Sequence, residues 1–516
     1  ATAATYRHVR ALARAVVTAG PAAIVDAAFE SDAFVNINSP ADLDGLIVVL
    51  RVEEPALDPQ HVDALINLAN IKRNFMQRDV ALGLMRQAEA LAPQNHLPAL
   101  FQLFECVYDI KSTDASIDTQ ARKVMDLRCK DLQVPNQRLI QKPWRKGERP
   151  LRIGFVSGDL RAHPVGFFLQ DWLPHADRSR LALHAFSTLE VDDFVSQKLR
   201  PQFESWQYIG KTNDEDALAL IEKLEIDVLI DLAGHTDTNR LPLFARRAAP
   251  VQISWLGWYA TTGVVNMDYF LTDRITSPES SQPYHCERLL YLPDTRLCLC
   301  EPSFAPPVTT LPALQNGYLT FGSFQSLLKI TDATLVLWRQ VLEGLSTSRL
   351  IMSCLEFGES HKLALFLERL AAAGLPCERI ELRMPLPYYE YLKLYQGIDV
   401  MLDSTPFPGG TTTAEALWMG VPTITMPGQT LISRQGASFL TAAGLPDWVA
   451  QSAEDYVAKA IYLGQHLDEL AQLRAELREQ VRASPLFDSP RFAQAFTEAT
   501  QSAYNAKLLL QPLRDI

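Results

Sequence analysis

Apolar residues recur every three or four positions through the first 140 residues, set among Ala, Gln and Arg. That spacing predicts amphipathic helices. Pro59 and Pro93 lie 34 residues apart, each just after an Ala-Leu pair. This is the period of a tetratricopeptide (TPR) repeat. Between the two prolines, small residues fall at Ala69, Ala81 and Ala88, and larger apolar ones at Leu65, Leu68 and Met85. Small residues there let paired helices approach closely. The pattern predicts an α-helical, TPR-like domain over residues 1–140, although the first 50 residues show no clear repeat. Such an array presents a concave surface suited to a polypeptide. Residues 141–150, polar and bounded by proline, read as a linker.

From Leu151 the period changes. Short apolar runs at 153–156, 181–186, 228–232, 251–256 and 269–271 alternate with helical stretches. Runs this short and this apolar predict parallel strands buried on both faces. A proline-rich break at 302–308 follows. A second series then begins, with runs at 319–321, 350–352, 380–382, 400–402 and 421–426. The prediction is an α/β protein with two Rossmann-like, doubly wound domains: residues 150–305, and residues 316–516 including the C-terminal helices. In such sheets ligands bind beyond the carboxyl ends of the strands, so chemistry is sought there.

Composition narrows the function. The net charge of −12 over 516 residues argues against a nucleic-acid partner. No run of about 18 apolar residues predicts a membrane span. Arg14 interrupts the early apolar stretch, which therefore does not read as a signal peptide. The seven cysteines are scattered without a CxxC pair, as expected for reduced thiols in a cytoplasmic protein.

Four strand ends carry candidate chemistry. In the stretch from Asp399 to Pro422, an apolar strand ends at Asp403, a Pro-Gly turn follows, and Gly410, Thr411, Thr412 and Thr413 open a helix. Free N–H groups at a helix start suit a phosphate. Glu415, one turn in, can accept hydrogen bonds from a ribose diol. In Gly322-Ser-Phe-Gln325-Ser-Leu-Leu-Lys329, the lysine can meet the charge that gathers on a departing diphosphate. His163, at the first strand-to-helix turn of the first domain, can act as a base or hydrogen-bond a sugar hydroxyl. His235, Gly257, Tyr259 and Thr262 belong to two glycine-containing loops suited to a sugar or a peptide backbone. Asp214-Glu215-Asp216 has a DxD spacing, but its position before an Ala-Leu run reads as the acidic first turn of a helix, so no metal is expected.

Taken in order, the motifs Gly-Asp-Leu-Arg-Ala-His163-Pro, Leu-Ala-Gly-His235-Thr, Pro250-Val-Gln-Ile-Ser-Trp-Leu-Gly257, Leu-Leu-Lys329-Ile, Gly-Thr411-Thr412-Thr-Ala-Glu415 and Met-Pro-Gly428-Gln-Thr-Leu-Ile-Ser-Arg434 resemble those of the O-GlcNAc transferase family, including its bacterial and plant SPINDLY-type members. The resemblance covers about 151–445. It implies a GT-B fold and inverting, metal-independent transfer of a sugar from UDP-GlcNAc to serine or threonine of a polypeptide. The UDP-sugar is then a co-substrate and no cofactor is needed. The resemblance also implies His163 and Lys329 as catalytic residues. Gln325, Gly410, Thr411, Thr412, Thr413 and Glu415 would be donor-binding residues, and Leu386, Tyr388 and Tyr391 would surround the uracil. Gly410 stands where animal members have histidine, Tyr388 and Tyr391 where they have lysine and histidine, and Tyr259 where they have proline. Two alternatives follow: another donor, GDP-fucose or UDP-glucose, or a repeat scaffold whose transferase half binds nucleotide without turnover.

Overall fold

A computed structural model describes residues 60–130, 132, 144, 149–302 and 304–509. The expectations for residues 1–59, most of the linker at 141–150 and residues 510–516 lie outside the described residues. Chain contacts separate two compact units, residues 1–98 and 99–516.

In the first unit, helices Val62–Asn74 and Arg78–Leu91 pack together. Ala69, Ala81 and Ala88 are at most 1% exposed, so the two backbones approach through small side chains, while Leu65 and Met85 fill the flanks. Leu68 is only partly buried.

The second unit does not begin where the sequence pattern places the domain boundary. Helix Asp114–Cys129 belongs to it, and so do residues 99–106 of helix His96–Cys106. Ala99, Leu103, Ile117, Ala121 and Val124 form one apolar cluster with Trp258, Phe407 and Ile432. A Cβ at Gly263 would lie 2.5 Å from the Ala121 carbonyl oxygen. These helical residues are therefore built into the α/β body rather than hinged from it.

That body holds two parallel sheets. The first has the order β3-β2-β1-β4-β5-β6-β7 and the second β10-β9-β8-β11-β12. In the first sheet, β1 spans Leu151–Ser157, β2 Leu181–Ser187, β3 Ser205–Tyr208, β4 Val228–Asp231, β5 Val251–Ser254, β6 Tyr269–Thr272 and β7 Arg288–Tyr291. In the second, β8 spans Thr320–Ser323, β9 Arg349–Ser353, β10 Ile380–Arg383, β11 Val400–Leu402 and β12 Thr423–Ile424. The apolar runs mark every strand of the second sheet, including its edges β10 and β12, and the five inner strands of the first. The edge strands β3 and β7 escape the pattern because they are short and half polar. The run at 421–426 yields a strand of two residues, with Thr425 bridging Val449 beyond it, and Pro422 before it cannot donate to a ladder. Strand order reverses between β1 and β4 and between β8 and β11, the topological switch points where open α/β sheets bind ligands.

The C-terminal helix Ser489–Leu509 departs from the expected assignment to the second domain. It lies on the first sheet: Phe496 stacks on Phe155, Phe492 and Phe496 close on Trp172 and Trp255, and the Tyr269 hydroxyl donates to the Ala503 carbonyl. The chain therefore returns to cover the sheet that it built first.

Candidate functional site

The site centres on the turn after β11. Asp403 ends the strand buried, and its carboxylate accepts from the N–H of Ser404, the N–H of Gly409 at 2.7 Å and the Thr425 hydroxyl at 2.9 Å. These bonds fold residues 404–409 back on themselves, which presents Gly410 as the uncapped residue before helix Thr411–Trp418. Burial pushes the Asp403 carboxyl up to about 6, opposed by those hydrogen bonds and by Lys329. Gly409 leaves room for the side chains around it: a Cβ there would meet the Thr413 hydroxyl at 2.4 Å, the Thr412 hydroxyl at 2.5 Å and the Gln325 amide at 2.8 Å. The Gln325 amide donates to the Thr412 hydroxyl at 3.0 Å, so this glutamine orients a threonine of the turn.

Lys329 follows β8 and reaches the same turn. Its Nζ donates to the Pro408 carbonyl at 3.3 Å and sits 4.3 Å from the centre of the Phe407 ring. Burial lowers it to about 8, while Asp403 and Glu356 pull the other way. The ammonium is partly desolvated, and the protein supplies it with a carbonyl and a ring face rather than a close carboxylate.

Glu415 is 9% exposed and carries a cluster of tyrosines. The Tyr391 hydroxyl donates to Oε2 at 3.0 Å, and Tyr395 lies 3.4 Å from the same oxygen while reaching the Thr412 carbonyl at 3.2 Å. Burial raises the Glu415 carboxyl to about 7, against the pull of Tyr391, Tyr388 and Tyr395. Tyr388 stacks beside Tyr391 at 6.3 Å and remains half exposed, as does Leu386. Tyr395 was not expected at the site, yet its spacing from Tyr388 and Tyr391 places all three on one helical face.

From the first sheet, His163 stands in extended geometry before helix Pro164–Gln170. The clash between a proline ring and a preceding helical residue explains why the helix starts there. Its Nδ1 accepts from the Val165 N–H at 3.3 Å. Burial lowers the imidazole below its usual range, while Asp159 raises it and Arg161 lowers it further. Nδ1 thus faces both the Val165 N–H and, at 3.7 Å, the Asp159 carboxylate, and Nε2 is the ring nitrogen left for other partners. Phe168 of the same helix lies 3.9 Å from where a Cβ at Gly410 would sit, which brings this helix to the phosphate-type turn. Tyr259 packs on Phe407 with ring centres 5.1 Å apart.

Three of the residues expected at the sugar or acceptor, His235, Thr262 and Gly257, are buried. His235 is 2% exposed, bonds the Thr262 carbonyl through Nε2 at 2.7 Å and is pushed down to about 4 by burial. Thr262 is fully buried and donates to Glu287. A Cβ at Gly257 would be 1.9 Å from the Leu232 carbonyl oxygen. Thr262 and Gly257 are closely packed, whereas His235 keeps its Nδ1 buried without a hydrogen-bond partner. Asp214 and Glu215 open helix Asp214–Lys223 and pair with Arg240 and Arg246. Among the described residues no cluster of three or more His, Cys, Asp or Glu side chains could hold a metal, and no helix is long and apolar enough to cross a membrane.

Residues 92–299 and 309–496 match the sequence pattern of glycosyl transferase family 41. A probable UDP-N-acetylglucosamine–peptide N-acetylglucosaminyltransferase SPINDLY from Solanum lycopersicum is 36% identical over 67% of this chain and 38% of its own length. The UDP-N-acetylglucosamine–peptide N-acetylglucosaminyltransferase of Caenorhabditis elegans is 27% identical over 67% of this chain and 40% of its own. The chain thus spans about two fifths of the length of these curated relatives. A mutant of the Thermobaculum terrenum O-GlcNAc transferase superposes with a TM-score of 0.83 at 28% identity, covering 99% of both chains.

Proposed function

The chain belongs to glycosyl transferase family 41, and from that premise we propose that it moves a sugar from a nucleotide donor to serine or threonine hydroxyls of a polypeptide, with UDP-N-acetylglucosamine as the donor. The observation that carries this reading is the convergence on one turn of a helix start, a desolvated lysine and a buried carboxylate.

The diphosphate would sit on the N–H groups of Gly410, Thr411 and Thr412, with the ribose diol displacing tyrosine hydroxyls from Glu415. The base would lie against Tyr388 and Leu386. In the transfer step the acceptor oxygen forms a bond to the anomeric carbon as the bond to the distal phosphate breaks, inverting the centre, and the hydroxyl proton passes to an oxygen of the departing diphosphate. Negative charge moves onto the leaving diphosphate, where Lys329 and the helix start are preorganised to meet it. This needs no metal. His163 serves as a hydrogen-bond donor to the sugar through Nε2–H; with Nδ1 committed to Val165, it does not take the acceptor proton. His235, buried and bonded to Thr262, has no direct part.

Calorimetry with UDP, GDP, UDP-GlcNAc, UDP-glucose and GDP-fucose tests the donor, and mass analysis of an incubated Ser/Thr-rich peptide tests transfer. UDP and UDP-GlcNAc binding with a mass gain of one GlcNAc, unchanged by EDTA, is expected. Preference for GDP-fucose would replace the donor, binding without any mass gain would leave a scaffold, and no binding to any of the five would overturn the reading.

A further inference from the structure

Arg296 lies on the loop after β7 and is 1% exposed. A guanidinium removed from water costs several kcal/mol unless its N–H groups are paired. Here only Nη2 is: it donates to the Gln435 side-chain oxygen at 3.0 Å. Nε and Nη1 are buried without a hydrogen-bond partner. Asp273, whose charge the guanidinium feels, spends its oxygens on the N–H groups of Ile275, Thr276 and Arg296 and on the Ser438 hydroxyl. Burial lowers the guanidinium to about 10, so it stays charged at pH 7.

Gln435 faces the other way with its amide, which donates to the Gly409 carbonyl at 3.2 Å. The same amide nitrogen lies 3.4 Å from where a Cβ at Gly410 would sit. Gly410 has no side chain, so the space beside the turn is bordered by Gln435 on one side and Phe168 on the other. Tyr259, which also feels the Arg296 charge, leads through Phe407 to Lys329. Two cations, the partly buried Lys329 and the buried Arg296, thus lie near one turn, Lys329 directly against it and Arg296 through Gln435, with no carboxylate hydrogen-bonded to either in this structure.

We propose that Arg296, tied through Gln435 to the Gly409–Gly410 turn, is a second cation of the donor site and sets its selectivity for a nucleoside diphosphate over a monophosphate. The inference rests on the donor-site reading above. It adds a residue from the loop after β7 to the phosphate-binding part of the site, which is otherwise built on the second sheet, so that the distal phosphate is held from both sheets. Arg296 also acts as a positioning residue, because Gln435 can fix the Gly409 carbonyl only while its own oxygen is held.

The test is calorimetry on the full chain with UDP and UMP, or GDP and GMP if the wild type takes the guanine series. The wild type is expected to prefer the diphosphate. Arg296→Met is expected to shrink that preference at least about tenfold while monophosphate affinity changes little, and Arg296→Lys is expected to restore part of it. A merely structural arginine would weaken both nucleotides alike. If Arg296→Met does not fold, Arg296→Gln makes the same test, since it removes the charge while keeping a side-chain amide that can donate to Gln435, and it must reduce the preference similarly. A preference unmoved in the folded variant overturns this inference alone. A wild type that binds neither nucleotide series overturns the donor site and the inference with it.

Discussion

Glu415 illustrates how a single carboxylate can be placed against its own ionisation. With three tyrosines around it and almost no water, its carboxyl is raised from 4.5 to about 7. The unfolded chain ionises near 4.5, so the folded state holds the proton longer. Stability therefore falls as pH rises from about 4.5 to about 7 and is level above that. The cost approaches about 3 kcal/mol for a shift of this size. Glu415→Gln, which never ionises, should be about as stable as the wild type near pH 4.5 and melt higher at pH 8. A melting-temperature gap that does not grow over that interval would contradict the assignment. Lys329 is placed differently, against an absent anion rather than an absent proton. Lys329→Met should lower kcat by a factor of about 10² to 10³ while donor affinity changes little, because the charge it meets develops mainly in the transition state. Steady-state kinetics beside calorimetry separates the two, and a loss confined to binding would remove its catalytic role.

The turn between β11 and helix Thr411–Trp418 shows what an element needs beyond its own hydrogen bonds. Gly409→Ala puts a methyl group among the Thr412 and Thr413 hydroxyls and the Gln325 amide. Those short side chains can rotate away, so the fold should survive. The turn then loses its oriented donors, and nucleotide affinity is expected to fall at least about tenfold by calorimetry; unchanged affinity would place the nucleotide elsewhere. This element was also the most legible in the sequence, since apolar strand, Pro-Gly turn and threonine helix start follow one another without interruption. The same reading singled out Lys329, Glu415 and His163 because each lies in the segment that follows a strand, and the structure sets Lys329 against the turn whose helix carries Glu415. It could not foresee that Gly257, Thr262 and His235 would be buried, since along the chain a glycine or threonine that faces a ligand looks the same as one that faces a neighbouring carbonyl. Arg296 and Gln435 carried no signal, for their partnership exists only across 139 residues of chain.

Across the whole α/β body, three distant segments meet at Asp114. Its carboxylate accepts from the Leu431 N–H at 3.1 Å, the Ser281 hydroxyl at 2.7 Å and Arg434 at 3.0 Å, while Arg434 also reaches the Thr276 carbonyl at 2.8 Å. Helix Asp114–Cys129, the loop after β6 and the loop after β12 are thereby pinned at one buried point. Asp114→Ala strands the Arg434 guanidinium and should cost about 3 to 5 kcal/mol, read as a fall in denaturation midpoint at unchanged m-value. A change under about 1 kcal/mol would mean that water replaces the carboxylate.

The return of helix Ser489–Leu509 to the first sheet bears on how the molecule can be made. As the polypeptide leaves the ribosome, β1 to β7 emerge long before Phe492 and Phe496, so the Trp172–Trp255 face stays uncovered while the entire second sheet is synthesised. Domains commonly fold one after another as they emerge, and uncovered apolar surface invites aggregation. Here the first sheet must wait, and expressing it alone as a fragment ending at the proline-rich break would leave that aromatic face bare to other chains.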